Sequence, residues 1–125
     1  SGDPLAWRVV ADLGGRPISV ADAERTMYHA AAVIASNHLV ALLGQVERVA
    51  AAAGVPLEAY LELARGALEN VASLGPSKAL TGPVARGDWE TVARHLAVLP
   101  PEERPAYQAM ADQAARLADE AKQPC

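Results

Sequence analysis

The chain of 125 residues suits one domain and excludes a second complete one. Hydrophobic residues make up 51% of it and aromatic residues only 4%, with no Phe, so the core must be built from small and aliphatic side chains, which favours close-packed helices. A formal net charge of −4 argues against a nucleic-acid surface, because phosphate binding needs clustered Lys and Arg.

Membrane and redox signals are weak in this sequence. We expect no membrane-spanning helix, since the apolar runs look shorter than the roughly 20 residues that such a helix requires, and no basic segment leads into an apolar one at the start. The single Cys125 ends the chain and cannot form an internal disulfide, which fits a reducing compartment. We therefore expect a soluble, cytoplasmic protein with no membrane partner.

The first twenty residues read as a helix followed by a short extended piece. Pro4 to Leu13 has a helical pattern that Gly14-Gly15 would end, and any strand is confined to Arg16–Val20. This order is that of the last helix and strand of a parallel sheet whose other strands are absent. A lone strand has no sheet to join.

A long helix is predicted from Ala21 to Ala53, opened by Ser19 or Asp22 as a cap and closed by Gly54. Two apolar stripes run along it, which marks a helix that is covered on two sides. The first stripe comprises Met27, Ala31, Ile34, Leu42, Val46 and Val49, and the second Ala30, Val33, Val40 and Leu43.

The rest of the chain predicts shorter helices separated by proline and glycine. Pro56 suits the first turn of a helix that Gly75-Pro76 would end, and a loop, Leu80–Gly87, follows. Asp88 is a good N-cap for a helix over Trp89–Leu99. Pro100-Pro101 then breaks the chain before a last helix that ends near Lys122. The prediction is an all-α bundle of five or six helices.

Three polar residues interrupt the long apolar helix and form the first candidate site. On a regular α-helix His29 and Ser36 lie within about 20° of each other, and Asn37 lies about 80° from His29. His29 could act as a general acid, because its ordinary pKa lies nearest neutrality. The alternative is structural, with His29 and Asn37 bonded to backbone carbonyls where helices cross. The spacing by itself leaves both open.

The loop before Asp88 forms the second candidate site. Thr81, with the turn that follows it, could offer a hydroxyl and backbone donors to an anion, and Arg86 could clamp a carboxylate. Equally, Arg86 and Asp88 could pair with each other and cap the next helix. His38 and His95 are expected to be non-catalytic, and no metal-binding spacing is present.

Two strings carry a family resemblance: Tyr28-His29-Ala-Ala-Ala-Val…Ala-Ser36-Asn37, and Leu80-Thr81-Gly82-Pro83…Arg86-Gly87-Asp88-Trp89-Glu90-Thr91-Val-Ala-Arg94-His95-Leu. They resemble the C-terminal helical domain of the Rossmann-like, domain-of-unknown-function 2520 family. That family is similar to NAD(P)-dependent reductases that include ketopantoate reductase, pyrroline-5-carboxylate reductase and 6-phosphogluconate dehydrogenase.

The resemblance implies a domain organisation and a function. Residues 1–20 would be the tail of a dinucleotide-binding domain, and residues 21–125 a helical substrate and dimerisation domain similar to the C-terminal domain of 6-phosphogluconate dehydrogenase. NAD(P) would be bound mainly by the preceding domain and not by these 125 residues, which lack a Gly-x-Gly-x-x-Gly turn. It further implies a homodimer and a small-molecule substrate, with reduction of a 2-oxo acid similar to ketopantoate as the expected reaction.

The sequence departs from its reductase relatives at one point. In ketopantoate reductase and 6-phosphogluconate dehydrogenase a lysine on the first long helix acts as acid or base, whereas this helix has no lysine. His29 is the best substitute, Asn37 would orient the substrate, and Ser36, Thr81 and Arg86 would bind it. The alternative is a non-catalytic helical dimerisation or interaction module.

Overall fold

The computed structural model describes residues 22–123, and every regular element in this range is helical. The all-α prediction is therefore confirmed for the described part of the chain. The predicted helix over Pro4–Leu13, the short extended piece in Arg16–Val20 and Cys125 lie outside the described residues.

The long helix of the sequence prediction is present but is not regular. Helix α1 spans Asp22–Val33, a π-helical turn spans Ile34–His38, and helix α2 spans Leu39–Ala52. The chain divides into two compact units between Gly44 and Gln45, so the described part of the first unit consists of α1, the π-turn and the start of α2.

By length and composition alone, the helical run Glu24–Ala52 could cross a membrane. Its 29 residues include an 18-residue window with a mean hydropathy of 1.3, none of which is buried. The sequence-based expectation that no apolar run approaches spanning length is therefore wrong by this criterion. The core helix of a soluble protein and a signal sequence meet the same criterion, so one such helix is weak evidence for a membrane span.

The second unit contains the remaining helices, whose ends follow local rules. Gly54 has φ of 76° after α2, and Gly75 has φ of 80° at the end of the next helix, a left-handed backbone that costs glycine little. Asp88 caps its helix as predicted. The helices are α3 (Glu58–Leu74), α4 (Pro76–Ala79), α5 (Trp89–Val98) and α6 (Arg104–Lys122), with a 3₁₀ turn over Pro101–Glu103.

The core of the second unit is built from small and aliphatic side chains, as the composition predicts. The short helix α4 packs against both α3 and α6, and α5 packs against α6. The buried hydrophobic side chains of the described residues are Ala50, Val92, Leu99 and Ala111. Few large side chains are available, so the helices meet through short ones.

An ion pair between the exposed side chain of Arg48 and the buried carboxylate of Glu103 joins α2 to the 3₁₀ turn. The carboxylate of Glu103, which is only 6% exposed, accepts hydrogen bonds from Arg48 Nε at 2.6 Å and Nη2 at 3.0 Å. Gln45 Nε2 donates to the Glu103 backbone carbonyl at 3.1 Å. The bonds from Arg48 lower the pKa of the Glu103 carboxyl, so it is ionised at neutral pH.

Candidate functional site

His29 lies on α1 with its side chain exposed. No residue of the described range hydrogen-bonds to its imidazole. The structural alternative, in which His29 is bonded to a backbone carbonyl at a helix crossing, therefore has no counterpart among residues 22–123. The imidazole is free to meet a ligand from solvent.

Tyr28, next to His29, carries a polar atom that the sequence analysis did not assign. Its hydroxyl is buried and has no hydrogen-bond partner among the described residues. An unpartnered buried hydroxyl costs roughly 1–3 kcal/mol, so native structures rarely keep one without a reason. The signal that could have identified it is a tyrosine directly before the histidine in an otherwise apolar helix.

The π-turn changes which polar residues share a face of the helix. An α-helix advances roughly 100° per residue, whereas a π-helix, with roughly 4.4 residues per turn, advances roughly 82°. The smaller rotation per residue in the π-turn adds up along the chain from His29. It brings Asn37 to within roughly 10° of His29 around the helix axis and moves Ser36 to roughly 75° away. The predicted pairing of His29 with Ser36 on one face was therefore wrong in its geometry, because it assumed a regular helix.

Asn37 is thus the residue that shares a face with His29. The two lie eight residues apart, which is roughly 11 Å along the helix axis, so they cannot act on the same atom. Both side chains are exposed. The separation leaves room for a small molecule between an imidazole that can donate a proton and an amide that can hold a carbonyl or carboxylate.

Ser36 is largely committed to its own helix. Its hydroxyl lies 2.6 Å from the backbone carbonyl oxygen of Ala32 and 3.2 Å from Asn37 Oδ1. A hydroxyl has one proton, and the shorter contact takes it, which leaves the Ser36 oxygen as an acceptor. Ser36 is therefore better placed to accept a hydrogen bond from a ligand than to donate one.

The Thr81–Asp88 loop in the second unit folds back on itself through backbone bonds. Gly82 and Gly87 adopt φ of 94° and 71°, and Asp88 N–H donates to the Pro83 carbonyl at 2.8 Å. These bonds fix the loop that carries the exposed side chains of Thr81 and Arg86. Glycine is required at both positions because other residues rarely adopt that backbone.

Asp88 has the capping role that the sequence suggested. Its carboxylate accepts bonds from the Thr91 hydroxyl at 2.7 Å and from the Thr91 N–H at 3.1 Å. The hydroxyl bond, the backbone bond and the charges of Arg86 and Arg94 together lower the pKa of Asp88. The Arg86–Asp88 ion pair is long, at 3.8 Å, and the Arg86 side chain is 64% exposed, so Arg86 can turn to another anion.

His95 has a partner that the sequence analysis missed. Its Nδ1 lies 2.7 Å from the hydroxyl of Tyr107, and the two rings meet edge to face. The pattern correctly indicated an exposed position for His95. Only the packing of α5 against α6 brings Tyr107 to it.

The predicted site residues thus fall in two units. His29, Ser36 and Asn37 belong to the first, and Thr81 and Arg86 belong to the second. Within residues 22–123 no group of three His, Cys, Asp or Glu side chains could hold a metal ion.

The described residues form an all-helical domain. The first described helix carries exposed polar residues among apolar ones. The chain belongs to the family described as Domain of unknown function (DUF2520), whose model matches residues 1–114.

One solved structure similar to this chain is protein TM1727 from Thermotoga maritima. The two share 25% sequence identity with a TM-score of 0.75, over 96% of this chain and 50% of that chain. The chain therefore spans about half the length of the Thermotoga protein. No curated protein matches it.

Proposed function

We propose that this chain is the substrate-binding and dimerisation domain of an NAD(P)-dependent oxidoreductase that reduces a 2-oxo acid similar to ketopantoate. NAD(P) is bound mainly by a dinucleotide-binding domain that precedes it, of which residues 1–20 are the tail, and residues 21–125 supply the substrate contacts. The helical domain is taken to be similar to the C-terminal domain of 6-phosphogluconate dehydrogenase.

The observation that carries this proposal is the face shared by His29 and Asn37. Two exposed polar side chains on one face of an apolar helix are accessible to a ligand, and the π-turn between them is a feature that is frequent at functional sites. The imidazole can protonate the carbonyl oxygen as hydride arrives at the carbon, while the Asn37 amide holds the substrate. Ser36 is assigned to the substrate as well, because its oxygen, whose proton goes to the Ala32 carbonyl, can accept a hydrogen bond.

Arg86 and the Thr81 hydroxyl are proposed to bind a carboxylate in the second unit. Arg86 is exposed, and its 3.8 Å pairing with Asp88 is loose enough to be exchanged for a bidentate bond to a carboxylate. Asp88 keeps its own bonds to Thr91 when Arg86 turns away, so the helix cap is not lost.

The test uses the natural full-length protein with NADPH and ketopantoate as the probe substrate. His29→Ala should lower turnover by roughly a hundredfold, as expected for loss of a general acid, with an unchanged thermal midpoint because the side chain is exposed. His38→Ala is the matched control, because His38 is exposed on the same helical run and should leave turnover unchanged.

Arg86→Ala should mainly raise the Michaelis constant, whereas Arg94→Ala, also an exposed arginine beside a carboxylate, should not. Equal turnover in wild type, His29→Ala and His38→Ala would refute the catalytic role of His29. A lowered midpoint in His29→Ala with normal turnover in the folded fraction would establish the structural alternative instead.

A second candidate function is a non-catalytic dimerisation or interaction module, which the exposed apolar residues of the first unit favour. Met27 is 75% exposed, Val40 70% and Ile34 59%. A patch of this kind needs a partner, and we propose a second copy of the chain.

Light scattering at micromolar concentration should give twice the monomer mass without detergent. A monomer mass, or flotation of the chain with phospholipid vesicles, would contradict the dimer. Reductase activity in the full-length protein separates the enzyme from the module.

A further inference from the structure

A cavity of about 530 Å³ opens in the second unit, between the C-terminal half of α2, the start of α3, the end of α5 and the first turn of α6. Its walls are nearly all apolar, with Val46, Val49 and Leu99 among them. The volume is more than three times that of the engineered cavity of about 150 Å³ that binds benzene. A molecule of two fused rings would fit.

Among residues 22–123, no Asp, Glu, Lys or Arg lines the cavity. The nearby ions Arg48 and Glu103 are bonded to each other and do not contribute to the lining. A charged ligand would lose its hydration here without gaining a counter-ion, which is strongly unfavourable. The cavity therefore selects for a neutral molecule.

Four of the lining residues carry polar groups: Gln45, Tyr60, His95 and Tyr107. Gln45 Nε2 donates to the Glu103 backbone carbonyl, whereas His95 and Tyr107 are bonded to each other and form one polar corner. The Tyr107 hydroxyl has a single hydrogen bond among the described residues, the 2.7 Å contact with His95 Nδ1. A partly buried hydroxyl with one acceptor in reach donates its hydrogen bond to that acceptor. Burial also raises the pKa of Tyr107, so the hydroxyl keeps its proton at neutral pH.

We assign the Tyr107 hydroxyl as the donor in this contact and His95 Nδ1 as the acceptor. With Nδ1 accepting, the ring carries its own proton on Nε2, and no described residue accepts a bond from Nε2. The corner thus offers an N–H donor beside apolar walls. A ligand that matches it carries a carbonyl oxygen.

We propose that this cavity is a binding site for a neutral, largely apolar small molecule with one carbonyl oxygen, which accepts a hydrogen bond from His95 Nε2. The site does not depend on the proposed reductase function, since His29, Ser36, Asn37, Thr81 and Arg86 do not line it. It also differs in chemistry, because the reductase substrate is a carboxylate.

The test is a titration of the 125-residue chain followed by ¹H–¹⁵N NMR, with three probes of the same ring system. 2-Acetylnaphthalene supplies the carbonyl, 2-ethylnaphthalene has the same shape without oxygen, and 2-naphthoate carries a charge. The acetyl compound should bind about fivefold more tightly than the ethyl compound, as expected for one net hydrogen bond, and at least tenfold more tightly than the naphthoate. The shifted amides should cluster around the cavity.

Two variants separate the pocket from its polar corner. Ala53→Trp places a large ring into the cavity and should abolish binding of both neutral probes, whereas Ala52→Trp, at the adjacent exposed position outside the lining, should not. His95→Phe keeps the ring and removes the donor, so the acetyl and ethyl compounds should then bind equally. His95 is exposed, so the variant is expected to fold.

Three results would overturn the proposal. One is non-saturating shifts spread over exposed leucines such as Leu63 and Leu68, which would mean general surface adsorption. The second is cavity shifts that depend on protein concentration without any probe, which would mean that a second copy of the chain fills the space. The third is an unchanged preference for the acetyl compound in His95→Phe.

Discussion

Leu99 and Val98 are neighbours with opposite surroundings, which makes them a sharp test of where the core lies. Leu99 is 9% exposed and Val98 is 81% exposed. Leu99→Ala removes three carbon groups worth about 0.8 kcal/mol each, or about 2.4 kcal/mol before the new void is counted. Leu99 already borders the cavity, so it has contacts on fewer sides. The expected loss is therefore about 2–3 kcal/mol, at the lower end of the usual range for this substitution.

Urea unfolding followed by far-UV circular dichroism measures this loss, at one fixed protein concentration because dimerisation would add to stability. With a slope of about 1.5 kcal/mol per molar, the midpoint of Leu99→Ala should fall by roughly 1.3–2 M. Val98→Ala should stay within about 0.5 kcal/mol of wild type. If Leu99→Ala does not fold, Leu99→Val gives a milder loss of the same sign. Equal midpoints for the Leu99 and Val98 variants would refute the assigned core.

Two further predictions concern the charged contacts of the second unit. Asp88→Ala removes the cap on the Thr91 N–H and should lower the thermal midpoint by a few degrees at neutral pH, while Glu90→Ala, at an exposed position in the first turn of the same helix, should not. Because folding lowers the pKa of Asp88, the stabilisation by its carboxylate is present above the ordinary Asp pKa and is lost as the pH falls through the lowered pKa. The difference in thermal midpoint between wild type and Asp88→Ala should therefore vanish in acid. A difference that persists in acid would contradict the capping role. Arg48→Met leaves the buried Glu103 carboxylate unpaired, so the thermal midpoint of the variant should fall furthest below that of wild type at neutral pH. Wild type loses the stabilisation that comes from the lowered Glu103 pKa as the pH falls below the ordinary Glu pKa and the carboxyl is protonated. The two midpoints should therefore approach each other in acid. Arg65→Met, which breaks an exposed ion pair with Glu62, is the control. If the loss of thermal midpoint in Arg48→Met does not depend on pH, the Arg48–Glu103 pair is not what stabilises the 3₁₀ turn.

The helix ends of the second unit could be predicted from the sequence because their causes are local. Gly54 and Gly75 end their helices with the left-handed backbone that glycine allows, and Asp88 caps α5 through a residue three positions away. Pro100-Pro101 stops α5 one residue earlier than predicted, at Val98. Each of these effects acts within a few residues, so a linear pattern contains it.

The π-turn could not be predicted, although it lies in the most informative part of the sequence. The residues Ile34–His38 show no glycine or proline, and their pattern is that of an ordinary α-helix. The change in backbone hydrogen bonding at the π-turn changed the residue that shares a helix face with His29 from Ser36 to Asn37. Helix phase is a property of the folded backbone, and the sequence pattern assumes a constant one.

The sequence by itself determined the helical class, the breaks between helices and the polar residues that interrupt an apolar stripe. Tertiary structure alone decided that Arg48 meets Glu103, 55 positions later, and that Tyr107 on α6 holds His95 on α5. The physical reason is the distance along the chain over which each kind of interaction acts. Backbone hydrogen bonds and caps join residues within a turn or so of each other, whereas side-chain pairing and the shape of a cavity depend on how helices that are distant in the chain pack together.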